Sequence, residues 1–143
     1  MAEIKGVTPH EVVEMLKDGY VYVDVRSQPE FEAGHVPGSL NVPLLHMGPA
    51  GMTPNPEFMD VMQRCFGKNE KLIIGCRSGG RSRRAAEMLL SVGYDDVADL
   101  LPGWEGTRDH FGRATPGYSK LGLPIEHGAP EGQRYDDVKN RKP

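Results

Sequence analysis

The run Lys71-Leu72-Ile73-Ile74-Gly75 passes without a gap into Cys76-Arg77-Ser78-Gly79-Gly80-Arg81-Ser82. A short apolar run bounded by turn residues reads as a buried strand. Beyond it, Ala85, Met88, Leu89 and Val92 recur at helical spacing, so residues 79–92 form a helix that Gly93 terminates. The same strand-and-helix order recurs along the chain. Thr8-Pro9-His10-Glu11 is a capping box with proline at the first helical position, followed by an apolar face of Val12, Met15 and Leu16. Residues 20–25 are β-branched and aromatic, the composition of a strand. Ser27-Gln28-Pro29-Glu30 is a second capping box and opens a short helix through Phe31. Residues 34–43 form a turn feeding a very short strand, and the glycine- and proline-rich residues 48–56 a surface loop. Phe58, Val61, Met62 and Cys65 mark a third helix, and Asp96–Leu100 a last short strand. Strands alternating with helices imply an α/β fold, a parallel sheet covered on both faces.

At 143 residues the chain has room for one core of ordinary size. Apolar residues make up 38%, somewhat low for a globular chain, so part of it need not contribute to that core. The expected division is a domain over residues 1–127 and a flexible C-terminal tail over 128–143, where glycine, proline and charge predominate. A net charge of −3 argues against a general nucleic-acid partner, which would call for a basic excess. No stretch is apolar for long enough to cross a bilayer, and the N-terminus lacks the order of a signal peptide. The expected location is therefore the cytoplasm, with no membrane partner. Two cysteines cannot organise a disulfide framework, and Cys65, on an apolar helix stripe, is expected to pack in the core. The five histidines show no metal-ligand spacing, so neither a metal nor a cofactor is expected, and His35 is read as bonding a turn.

Cys76 stands apart. In a parallel sheet, sites form beyond the carboxyl ends of the strands, where the strand before it places this residue. Gly79 and Gly80 allow the backbone to curl so that successive N–H groups point inward, and the following helix adds its N-terminal partial charge. Arg77 and Arg81 add full positive charges. These surroundings favour a thiolate nucleophile in a pocket built for anions.

The chain resembles a single rhodanese domain, of the plant and bacterial senescence-associated type. The resemblance rests on Asp24-Val25-Arg26 at a strand end, on Glu30-Phe31-Glu32-Ala33-Gly34-His35-Val36-Pro37-Gly38-Ser39-Leu40-Asn41-Val42-Pro43, on Cys76 through Ser82, and on Gly103-Trp104. It implies a five-stranded parallel sheet with helices on both faces. It also implies a sulfurtransferase, in which Cys76 takes the outer sulfur of a donor such as thiosulfate, becomes a persulfide, and passes that sulfur to cyanide or a thiol. By the same resemblance Arg77, Ser78, Gly79, Gly80, Arg81 and Ser82 bind the substrate, Arg77 and Arg81 hold the sulfonate end, and Asp24, Arg26 and Trp104 support the pocket. Asp24 and Arg26 are expected to form an ion pair, and Trp104 to pack near the loop.

Two alternatives share the fold. Phosphatases and arsenate reductases of the Cdc25 type carry a loop one residue longer than the four residues between Cys76 and Arg81, wide enough for a tetrahedral anion. The shorter loop suits a single sulfur atom. The other alternative is a sulfur carrier or interaction module that hands sulfur to a protein acceptor without turning over small molecules. The chain also departs from the family pattern. Thr107 stands where a second aromatic residue is usual, and an insertion around residues 113–118 follows, placed where it could rim the pocket.

Overall fold

The computed structural model describes residues 3–143. In chain order the elements are β1 (Lys5–Val7), α1 (Pro9–Lys17), β2 (Val21–Asp24), α2 (Gln28–Ala33), β3 (Leu40–Asn41), β4 (Leu45–Gly48), β5 (Gly51–Pro54), α3 (Phe58–Cys65), β6 (Lys71–Gly75), α4 (Gly80–Ser91), β7 (Asp96–Leu100), β8 (Gly106–Arg108), β9 (Ala114–Pro116) and α5 (Tyr135–Val138). Among the described residues five strands form one sheet in the order β1-β7-β6-β2-β3, every pairing parallel. The most apolar strand, β6, is central, as burial on both faces requires.

Alternation along the strands divides the core in two. Tyr22, Ile73, Ala98 and Leu100 face α1 and pack with Val7 and Val12. Val23, Leu72, Ile74 and Val97 face the other way, toward Val61, Met62 and Cys65 of α3 and Ala85, Ala86 and Leu89 of α4. Helices therefore cover both faces. Both expected capping boxes form, at Thr8–Glu11 and Ser27–Glu30. No helix among the described residues is long and apolar enough to cross a membrane.

Register then decides what meets at the carboxyl edge. Asp24 pairs with Gly75, and Ile74 with Asp99, so the chain leaving β2, β6 and β7 emerges side by side. Gly75 is needed on packing grounds alone, since a Cβ there would collide with the Tyr22 hydroxyl.

The structure differs from expectation in three places. Residues 48–56 are not a plain loop, because β4 and β5 pair as an antiparallel hairpin. The insertion around 113–118 is half of a second hairpin, β8 with β9. The tail is the largest difference. Instead of a flexible 128–143, Tyr135 and Val138 of α5 enter the core beside α3. The Asn55 side chain donates to the Tyr135 hydroxyl at 3.0 Å, and the Asn41 backbone N–H to the Gln133 carbonyl at 2.9 Å. The Arg141 guanidinium donates to the Cys65 carbonyl at 2.7 Å and pairs with Glu70 at 2.9 Å. It thereby satisfies one of the carbonyls that the last turn of α3 leaves without an intrahelical partner. Two apolar anchors and one guanidinium are enough to order a polar segment.

Replacing Tyr135 by Ala is expected to destabilise the fold by about 3 kcal/mol, in the range for emptying a buried aromatic site. Urea unfolding monitored by circular dichroism measures this. A tail that moved freely would leave the midpoint unchanged.

Candidate active site

Cys76 is the first residue beyond β6 and is 1% exposed. Gly79 has φ +99°, in the left-handed region, and this reversal aims its N–H at Cys76 Sγ, 3.0 Å away. A Cβ on Gly79 would also press on the Leu101 carbonyl at 2.8 Å. The turn after β7 holds the loop from outside. The Trp104 N–H donates to the Cys76 carbonyl at 2.8 Å and the Glu105 N–H to the Arg77 carbonyl at 2.9 Å. Gly103 permits this approach, for any side chain there would run into the Arg77 carbonyl.

Beneath the sulfur lies a chain of polar groups. The Cys76 thiol donates to Ser82 Oγ at 3.4 Å, and that hydroxyl lies 2.5 Å from Asp99 Oδ1 and 3.1 Å from the Gly79 carbonyl. A hydroxyl has one proton to give. Directed at the carboxylate, it leaves the oxygen lone pairs free to receive the thiol proton. Burial pushes the Asp99 carboxyl up, against the opposing pull of the Ser82 hydrogen bond and the Arg83 charge. Cys76, Ser82 and Asp99 thus form one buried hydrogen-bonded chain behind the sulfur.

The two loop arginines are deployed differently. Arg81 forms a two-pronged pair with Glu30, at 2.7 and 2.9 Å, and is largely covered. Glu30 also accepts from the Ser27 N–H and hydroxyl, so the capping box of α2 and the Cys76 loop share one carboxylate. Burial alone would raise the Glu30 carboxyl, but Arg81 and Ser27 together hold it down at about 2. Arg81 is thus spent on structure, and the expectation that it holds a sulfonate loses its basis. Arg77 is 61% exposed and meets Glu105 only loosely, at 3.3 Å.

Asp24 and Arg26 form the expected ion pair, buried and two-pronged, with Arg26 donating further to the Gly34 carbonyl at 2.7 Å. The guanidinium lies 4.9 Å from the Trp104 ring centroid, so Trp104 covers the pair while its backbone holds the loop. Full burial of Arg26 removes it from any free substrate. His35 contacts the Phe31 carbonyl at 2.7 Å and Glu126 at 3.0 Å, holding a turn. Cys65 is buried in the core and unbridged.

A cleft of about 640 Å³ opens beside the loop, lined by Arg77, Ser78, Glu105, Thr107, Arg108 and Lys120, together with the β8–β9 hairpin backbone. Cys76 does not line it, but the two residues that follow it do. Sequence reasoning missed Asp99, the second role of Glu30 and the hairpin wall. For Asp99 a signal existed: an acid in the middle of an otherwise apolar strand, Val97-Ala98-Asp99-Leu100, needs a buried partner. For the others the meeting is purely tertiary.

The Glu30 carboxyl titrates at about 2 in the fold against an ordinary 4.5, so its contribution to stability is present above pH 4.5 and is lost as pH falls toward 2. Thermal unfolding of Glu30→Gln across pH 2–6 is expected to show a weaker acid dependence than the parent. Identical acid limbs would mean the pair stabilises nothing.

The rhodanese-like domain model matches residues 8–110. Thiosulfate sulfurtransferase 16, chloroplastic, from Arabidopsis thaliana is 41% identical over 79% of this chain and 85% of its own length. Senescence-associated protein DIN1 from Raphanus sativus is 38% identical over 64% of this chain, which spans only half of that longer protein. The crystal structure of Rv0390 from M. tuberculosis superposes with a TM-score of 0.72 at 30% identity, covering 88% of this chain and 100% of that one. With the strand order, the Cys76 loop and these likenesses in agreement, the chain belongs to the rhodanese-like domain family.

Proposed function

We propose that this chain is a sulfurtransferase that moves one sulfur atom from thiosulfate, or a persulfide donor, through a Cys76 persulfide to a thiol or cyanide. The observation that carries this reading is the seat of Cys76 Sγ. It lies under a short glycine loop with an N–H already directed at it and a proton route behind it. The thiol proton passes by Ser82 toward Asp99. The thiolate then attacks the outer sulfur of thiosulfate, the donor's S–S bond breaks, and sulfite leaves with the bonding pair. Arg77, the exposed loop cation, attracts the sulfonate end. The persulfide's terminal sulfur is anionic at neutral pH, and inward N–H groups stabilise it. An acceptor thiolate or cyanide attacks that sulfur and Cys76 leaves as thiolate, ready for the next donor. The relative named a thiosulfate sulfurtransferase supports this chemistry. Two unbridged cysteines suit a reducing compartment such as the cytoplasm.

After incubation with thiosulfate, intact-mass analysis is expected to show one added sulfur that cyanide removes, and none in Cys76→Ser. Equal labelling of the variant would refute the assignment. Labelling without multiple turnovers would instead favour the carrier reading. Cys76-dependent hydrolysis of an aryl phosphate, or reduction of arsenate, would favour the alternative that the loop length disfavours.

Ser82→Ala interrupts the proton route while leaving the Gly79 N–H in place. Its kcat/KM for thiosulfate at neutral pH is expected to fall about tenfold or more. An unchanged kcat/KM would remove Ser82 and Asp99 from the mechanism.

A further inference from the structure

The cleft beside the loop is far larger than thiosulfate or cyanide needs, and falls within the size range of small-ligand sites. Its outer wall is the β8–β9 hairpin, which is fastened to the same turn that holds Cys76. The Tyr118 N–H donates to the Gly103 carbonyl, and the Ser119 N–H and hydroxyl both donate to the Trp104 carbonyl, at 3.0, 3.0 and 2.8 Å. Wall and nucleophile are therefore parts of one rigid body, the arrangement a binding site requires.

The charges in the cleft run against those of the chain. Three cations, Arg77, Arg108 and Lys120, face the single carboxylate of Glu105 in a protein whose net charge is −3. Glu105 is already shared with Arg77. Among the described residues Arg108 donates only to the neutral Gly112 carbonyl, at 2.9 Å. Lys120 has no ion pair or side-chain hydrogen bond among the described residues. The acid nearest in sequence, Asp109, is engaged with Arg113 at the hairpin tip. Two cations on the wall are thus uncompensated and point to an anionic occupant, with the Ser78 and Thr107 hydroxyls beside them.

We propose that this cleft seats the sulfur acceptor, and that the acceptor is a thiol whose body carries carboxylates. The inference rests on the sulfurtransferase reading and adds the substrate class to it. Arg77 and Ser78 are the residues directly after Cys76, so a ligand anchored on Arg108 and Lys120 presents its far end to the loop. The reaction asks for a thiolate there. It attacks the outer sulfur of the Cys76 persulfide, a new S–S bond forms on the acceptor, and Cys76 leaves with the electron pair of the old one. Carboxylates on the acceptor body take the two wall cations, Arg108 through its planar fork and Lys120 as a point charge.

The test supplies thiosulfate as donor and a charge series of thiols as acceptors, compared at equal thiolate concentration and about 0.15 M salt. The series is mercaptosuccinate, mercaptoacetate, 2-mercaptoethanol and cysteamine, with cyanide as the reference acceptor. The expected order of kcat/KM follows negative charge, mercaptosuccinate exceeding 2-mercaptoethanol by about tenfold. In the double variant Arg108→Glu/Lys120→Glu the order should invert toward cysteamine, with mercaptosuccinate losing at least about ten times more than cyanide does. Reversal of preference cannot come from a hairpin that merely unfolds, because that would lower every acceptor together. A flat series in the parent, or a variant that slows all acceptors alike, overturns the acceptor site while the sulfurtransferase reading stands. Absence of cyanide turnover in the parent overturns both.

Discussion

The loop that carries Cys76 is held in place by hydrogen bonds from the next crossover. Its carbonyls at Cys76 and Arg77 point outward and would stand unpaired where the chain curls around the sulfur. The Trp104 and Glu105 N–H groups meet them, and Gly103 is what lets the two backbones come that close. With the carbonyls turned out, the N–H of Gly79 is free to turn in. The site is therefore a consequence of strand order: β7 lies beside β6, so the turn leaving β7 is available to clamp the loop leaving β6.

The other neighbour of β6 supplies the electrostatic frame. From the β2 side come the buried Asp24–Arg26 pair and, through α2, the Glu30 that engages Arg81. From the β7 side comes Asp99, held by Ser82. A loop fixed from both sides holds the Cys76 sulfur against the Gly79 N–H without relying on side-chain flexibility. It also leaves Arg77 as the exposed loop cation, in the lining of the cationic hairpin cleft.

Much of this was legible in the chain. The caps at Thr8 and Ser27, the apolar strand at 71–75 and the glycine pair before a helical stripe are local patterns, and local patterns survive folding when nothing opposes them. The burial of Cys65 was legible for the same reason, while the pairing of Asp24 with Arg26 came from the family resemblance. Both hairpins escaped notice because short polar strands carry little alternation: all four residues of β5 are exposed. The tail escaped because its composition is that of a disordered segment, and only Tyr135 and Val138 tie it down. Arg81 was assigned to substrate because a charge near a nucleophile reads as a binding group. Its partner lies fifty-one positions away.

Residue order alone determined the candidate nucleophile, the strand that presents it and the length of its loop, since each depends on neighbours a few positions apart. Tertiary structure decided which loop cation stays exposed, which carboxylate stands behind the Cys76–Ser82 hydrogen bond, and what lines the cleft beside the loop. Those outcomes depend on burial and on strand adjacency. A charge is worth little in water and much in a covered site, and only the folded sheet determines which charges are covered.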